Sequence, residues 1–177
     1  MKRTFLFLVL LLFTYSAQAQ IQRYPHYLGG DFGLSVGNGR TSVIVYPEVG
    51  WRIGDNLYAG IQAGFGYCDN GSYSDFSFGV IPNLRYYWYI YNRFGLSAEA
   101  GCALHLTRRS NWDSLIRSFD IGIRPGAVIP IGSRYALTVQ VGFLGYEVDN
   151  YGDGVIDSRF GFRFQQNDFR VGFLMNI

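Results

Sequence analysis

Phe94-Gly95-Leu96-Ser97-Ala98-Glu99-Ala100-Gly101-Cys102-Ala103-Leu104-His105-Leu106 carries two different messages on alternate residues. Phe94, Leu96, Ala98, Ala100, Cys102, Leu104 and Leu106 make one apolar row, while Gly95, Ser97, Glu99, Gly101, Ala103 and His105 make a small and polar one. Successive side chains of a β-strand point to opposite faces, so a period of two predicts a strand whose faces meet different surroundings. Glu99 sits at the middle of the polar row. A carboxylate there needs either water or a buried cation as partner, because an unpaired buried charge costs several kcal/mol.

The same alternation predicts seven more strands, at Leu28 to Gly37, Val43 to Ile53, Leu57 to Tyr67, Phe76 to Trp88, Ser118 to Ile129, Tyr135 to Tyr146 and Phe169 to Ile177. In each, one row is apolar: Val43, Val45, Val49, Trp51 and Ile53 in the second strand, and Tyr135, Leu137, Val139, Val141 and Phe143 in the seventh. With 16% charged residues overall, rows of this combined length would hold several charges by chance, and they hold none. The opposite rows bring four acids, Asp31, Glu48, Glu99 and Asp120, to four arginines, Arg52, Arg85, Arg124 and Arg170. A soluble ligand-carrying barrel is apolar inside and charged outside, whereas a membrane barrel is the reverse. Mid-strand arginines and acids fit a polar lumen where they pair, so the apolar row is read as facing lipid. The fold class predicted is all-β, an eight-stranded antiparallel up-and-down transmembrane barrel. Most segments reach the roughly 9 to 11 residues that a tilted strand needs to cross a bilayer. An even number of strands returns both ends to one side.

Charge and the amino-terminal region agree with this reading. Lys2 and Arg3, an apolar run from Phe5 to Phe13 and the small Ala17 and Ala19 have the form of a cleavable secretory signal, which assigns residues 1–19 to a signal peptide and 20–177 to the barrel, with Gln20 as the first mature residue. Cleavage removes Lys2 and Arg3 from the 15 basic residues and leaves 13 arginines against 13 acids, with no lysine. A neutral chain has no electrostatic footprint for nucleic acid. A lysine-free surface is also unusual for a soluble extracellular domain. Cys68 and Cys102 fall on opposite faces of strands that are not neighbours, so two free thiols are expected.

The connections Gly54 to Asn56, Tyr89 to Arg93 and Pro130 to Arg134 are short and read as periplasmic turns. Thr107 to Arg117 and Glu147 to Asp168 are longer and polar, as extracellular loops are; the Asn38-Gly39 turn is a short exception. Trp51, Tyr58, Tyr86, Trp88, Tyr89, Tyr91 and Tyr135 gather near the short turns and are expected to form an aromatic girdle at the periplasmic interface. Pro47, Pro82 and Pro125 lie inside strands two, four and six. A closed sheet has no edge to absorb a missing N–H, so bulges are expected at all three.

On these features the chain resembles the bacterial outer-membrane β-barrel family that includes small OmpA/OmpX-type and PorT-like barrels. The carriers are the Ala17-Gln18-Ala19 site, the repeated proline-turn-strand hairpins and the stretch Phe169-Arg170-Val171-Gly172-Phe173-Leu174-Met175-Asn176-Ile177. That stretch is similar to the family's assembly signal, with Gly172, Phe173, Met175 and Ile177 as the matching positions; Ile177 stands where the family usually has an aromatic. The resemblance implies outer-membrane localisation and insertion by the outer-membrane assembly machinery.

No catalytic, cofactor or metal site is predicted. His105 is the only strand histidine, and barrels of this size include lipid-modifying esterases, but it falls on the lumen row and is read as a polar residue near the extracellular mouth. Asp149-Asn150-Tyr151-Gly152-Asp153-Gly154 with Asp157 looks like a calcium turn, yet an EF-hand would want Asp or Asn at Tyr151 and Glu at Phe160. Phe160, Phe162 and Phe164 alternate with Gly161 and Arg163, which predicts a ribbon projecting beyond the membrane, with an edge that a partner strand could join. The expectation is a monomeric, non-enzymatic outer-membrane protein in contact with lipid, structural or adhesive, with 107–117 and 147–168 as the surface for an extracellular protein. The alternatives are an accessory of an export machine, a lipid-modifying enzyme and a narrow pore.

Overall fold

The computed structural model describes residues 25–37, 40–91, 94–111, 114–152, 155–164 and 169–177; the segment 1–19 read as a signal peptide, Asn38-Gly39 and Arg93 lie outside them. The strands are β1 (His26–Gly37), β2 (Arg40–Arg52), β3 (Leu57–Asp69), β4 (Ser74–Tyr91), β5 (Phe94–Arg109), β6 (Leu115–Ile131), β7 (Tyr135–Gln140), β8 (Phe143–Asn150), β9 (Ile156–Arg163) and β10 (Arg170–Asn176). Consecutive antiparallel ladders run from β1 to β6. The lower part of β6 pairs with β7 and its upper part with β8, while β10 lies between β7 and β1 and closes the ring. β7 with β8, and β9 with β10, each act as one wall strand, so the barrel has eight walls.

Its sidedness is that of a membrane barrel. Leu96 and Phe173 are 46% and 47% exposed on the outer surface, while Arg85 and Glu99, each 1% exposed, lie inside. In water this orientation would leave rows of hydrocarbon wet on the outside and keep the charges dry within, so the surrounding solvent has to be lipid. No helix among the described residues is long and apolar enough to cross a membrane.

The prolines behave in two ways. The β2–β3 ladder skips Tyr46 and Pro47, and the β4–β5 ladder skips Ile81 and Pro82, but the register on either side is unchanged and no residue is inserted. The missing proline N–H faces one neighbour only, and the other ladder continues through Gly30↔Pro47 and Ile61↔Pro82. At Pro47 the opposing strand draws close through Gly64, where a Cβ would collide with the Val45 carbonyl oxygen. The bulges expected at Pro47 and Pro82 are therefore absent, and only Pro125 has one. There Gly126 faces Gln140 but Ile123 faces Leu144, so β7–β8 holds one extra residue at Val141-Gly142. Gly142 takes φ +75°, and the Val141 N–H reaches the Pro125 carbonyl at 3.0 Å.

One inserted residue reverses the facing of everything after it. Phe143, expected on the lipid row, is 3% exposed and points inside, whereas Leu144 and Tyr146 point out. The segments read as extracellular loops also change. β5 and β6 continue their ladder to Arg108↔Leu115, so most of 107–117 is strand. β8 and β9 form a hairpin within 147–168, the ribbon that the phenylalanine alternation predicts. β9 pairs with β8 alone, and Gly33 to Gly37 of β1 pair with β2 alone, so among the described residues the upper wall carries no ladder between β1 and β9.

Candidate functional site

The lumen is filled in three layers. At the end with the short turns, read as periplasmic from the sequence, the inward side chains of Tyr27, Tyr58 and Tyr87 pack edge to face, with ring centroids 5.8 and 5.6 Å apart, and Tyr89 stacks on Tyr87. Val128, Ala136 and Leu174 complete this plug, which leaves a cavity of about 20 Å³, little more than a water. Tyr58 is 7% exposed and Tyr89 packs beside it, so both leave the predicted girdle. Their positions explain this, because the lipid-facing row of β3 is odd-numbered and that of β4 is even-numbered. Trp51, Tyr86, Trp88 and Tyr135 do face outwards. Tyr86 and Trp88 rings are 4.6 Å apart, and Tyr135 stacks on Phe173.

Above the plug, charges are shared along a continuous chain of contacts. Glu48 accepts from Tyr27 Oη at 2.6 Å, from Asn83 at 3.2 Å and from Arg85 Nη2 at 2.9 Å. Gln62 Nε2 bridges Glu48 and Asp31, at 3.2 and 3.0 Å. Arg85 also grips Glu99 through Nε at 3.1 Å and through Nη2, and Glu99 accepts from Gln140 at 2.8 Å. One guanidinium thus neutralises carboxylates from two strands, in a site that buries all three groups. Arg124 lies 3.9 Å from Glu99 and donates to Asp120 at 2.9 Å. Arg52 instead turns to the Gly54 carbonyl and Asp55 at the periplasmic turn.

The third layer is an open vestibule of about 350 Å³ at the opposite end, the one read as extracellular. His105 stands on its wall with Nε2 3.5 Å from Asp120 and Nδ1 3.2 Å from Tyr46 Oη. An acid within reach of this imidazole was not legible in the sequence, because Asp120 comes from the neighbouring strand. Phe143 forms part of the adjoining wall, with the Arg124 and Arg163 guanidiniums 4.8 and 5.3 Å from its ring centre. Arg163 and Arg159 both bond Glu147, at 2.6 and 3.1 Å, and Arg159 also bonds Asp149 at 2.8 Å. Asp149 is thus held by Arg159; Asp153 and Gly154 of the calcium-like turn lie outside the described residues.

Of the other predicted positions, Arg170 lies beside the vestibule over the Tyr46 ring, at 5.5 Å. Gly172 is set tightly against Thr138 and Asp31, Phe173 and Ile177 are on the outer surface, and Met175 is half-buried. Cys68 and Cys102 are separate thiols, with Arg40 Nε donating to Cys68 at 3.1 Å.

By sequence, no family model and no curated protein matches the chain. By structure it is similar to Neisserial surface protein A, NspA, with a TM-score of 0.58 and 15% identity over 86% of this chain and 97% of that one. It is also similar to the N-terminal β-barrel domain of Pseudomonas aeruginosa OprF, with a TM-score of 0.53 and 12% identity over 88% of this chain and 100% of that domain. The likeness is one of fold, that of the small outer-membrane β-barrels.

Proposed function

We propose that this chain is an integral outer-membrane protein, neither enzyme nor pore, that binds or adheres through the extracellular end of its barrel. The supporting observation is the asymmetry of the lumen: a tyrosine plug and a shared-charge layer fill its lower part, while the upper part opens on a vestibule and on a β9 strand that is exposed almost throughout. A lumen filled by side chains favours little conductance. Both ring nitrogens of His105 are engaged, by Asp120 and Tyr46, and this leaves neither to activate a neighbouring Ser or Thr hydroxyl. An unpaired strand edge, in contrast, can be joined by an extended segment of another protein.

The test compares cells carrying the protein with cells carrying a variant in which residues 150–156 are replaced by a Gly/Ser segment of equal length. Adhesion to immobilised extracellular matrix protein falls at least fivefold in the variant, while outer-membrane fractionation and the mobility shift on boiling are unchanged. Equal adhesion by cells lacking the protein would overturn the reading. Loss of secreted cargo on gene deletion would replace it with a role in export.

A further inference from the structure

Among the described residues, the arginines that line the lumen above the plug are paired as a rule. Arg85, Arg124, Arg159 and Arg163 each hold a carboxylate at hydrogen-bond distance, in layers where one guanidinium often serves two acids. Arg170 breaks the rule. No carboxylate of the described residues lies within ion-pair distance of it, Asp31 and Glu99 act on it only at longer range, and the Arg124 guanidinium repels it. Its one close partner is the Tyr46 ring face, and its buried Nη1 has no acceptor. Arg124, whose side chain is 5% exposed, likewise has an Nη1 without an acceptor. Arg124 nonetheless holds Asp120 at 2.9 Å, so the incomplete member is Arg170, which lines the open cavity with an unspent donor and no anion at bonding distance.

Guanidiniums dominate the cavity lining. Arg124, Arg159, Arg163 and Arg170 line it with Asp120 and Glu147, and Asp149 also holds Arg159, which leaves Arg170 as the guanidinium of the wall without an acid at bonding distance. A phosphate monoester carries roughly −1.5 to −2 at neutral pH and has three strong acceptor oxygens, and guanidinium forks match those oxygens geometrically. The vestibule, about 350 Å³, is at the lower end of the roughly 300–1,000 Å³ typical of small-molecule pockets. A second cavity of about 230 Å³ shares Glu147, Arg159 and Arg163 with it and adds the exposed rings of Phe160 and Phe162 on β9, which among the described residues pairs with β8 alone. The cationic cup thus continues onto an aromatic lip.

We infer that the vestibule is a binding site for a phosphate-type oxyanion, held between Arg170, Arg124 and Arg163, whether free in solution or carried as the headgroup of an amphiphile lying against Phe160 and Phe162. Phe143, turned inwards by the Val141-Gly142 bulge, supports two of these guanidiniums on one ring. The site stands independently of any protein partner on the β9 edge.

Two arms test it and separate the sources. Inorganic phosphate is titrated calorimetrically into the refolded barrel in zwitterionic micelles. In parallel, the barrel in phosphatidylcholine nanodiscs, with and without phosphatidic acid, is assayed for saturable phosphatidic acid retention. Saturable binding in the first arm identifies a free anion as sufficient, and binding only in the second identifies a lipid headgroup. Arg170→Met and Arg163→Met each weaken binding at least tenfold, Arg170→Lys retains part of it, and Arg134→Gln at the periplasmic turn leaves it unchanged. If Arg170→Met does not fold, Arg163→Met and the rim variant Arg159→Gln decide. Absence of saturable binding in both arms overturns the inference, as does wild-type affinity in folded Arg170→Met and Arg163→Met.

Discussion

The two ends of this barrel treat arginine differently. In the lower lumen Arg85 is enclosed by Glu48 and Glu99, with Gln62, Asn83 and Gln140 donating to the carboxylates and a tyrosine plug beneath. In the upper lumen Arg159 and Arg163 share Glu147 at a half-open rim, and Arg170 has no acid within bonding distance. Burial separates the two cases. A charge taken fully out of water has to find its counter-ion within the protein, so in the lower layer Arg85 holds two carboxylates. A charge at an open mouth keeps some solvent and tolerates an unfilled valence, which is what a binding surface requires. The lower half is accordingly built for stability, and the upper half carries the binding surface that we propose.

That contrast is open to direct attack. The largest effect is expected from Arg85→Met, which strands two buried carboxylates. Urea unfolding of the refolded barrel in micelles should show a loss of about 3–5 kcal/mol, and a loss below about 1 kcal/mol would erase the distinction between the halves. Next comes Tyr58→Ala, which empties the centre of the plug and should cost about 3 kcal/mol in the same assay; a girdle residue facing lipid would leave no such cavity. Gly142→Ala should cost about 1–2 kcal/mol because an L side chain is strained at φ +75°. It sharpens the comparison by showing how much the inward turn of Phe143 depends on the bulge. Arg159→Gln at the exposed rim should change stability by no more than about 1 kcal/mol, while trypsin cleavage after residue 159 in intact cells is lost. A change as large as that of Arg85→Met would mean that the rim is as structural as the core.

Much of this architecture could be read along the chain. The eight alternating segments, the outward rows and the inward placement of Asp31, Glu48, Arg85, Glu99, Asp120 and Arg124 follow from parity alone, and Tyr58 followed the same rule even though its nearness to a turn suggested a girdle position. The ribbon was visible as Phe160, Phe162 and Phe164. The vestibule was not. Its acid–imidazole contact joins His105 to Asp120 across a ladder, its Arg163 and Arg170 come from the two strands β9 and β10, and its aromatic support faces inwards only because of one extra residue.

What the chain determines by itself is sidedness: period-two alternation places hydrocarbon on one face and charge on the other of every strand, and that local rule needs no knowledge of neighbours. What only the closed barrel decides is phase and partnership. The register shift at Val141-Gly142 arises where β7–β8 meets Pro125 of a different strand, and a shift of one residue exchanges inside for outside in everything that follows. The pairing of each arginine likewise depends on which strands the ring brings face to face across the lumen, a property of closure and not of any one segment.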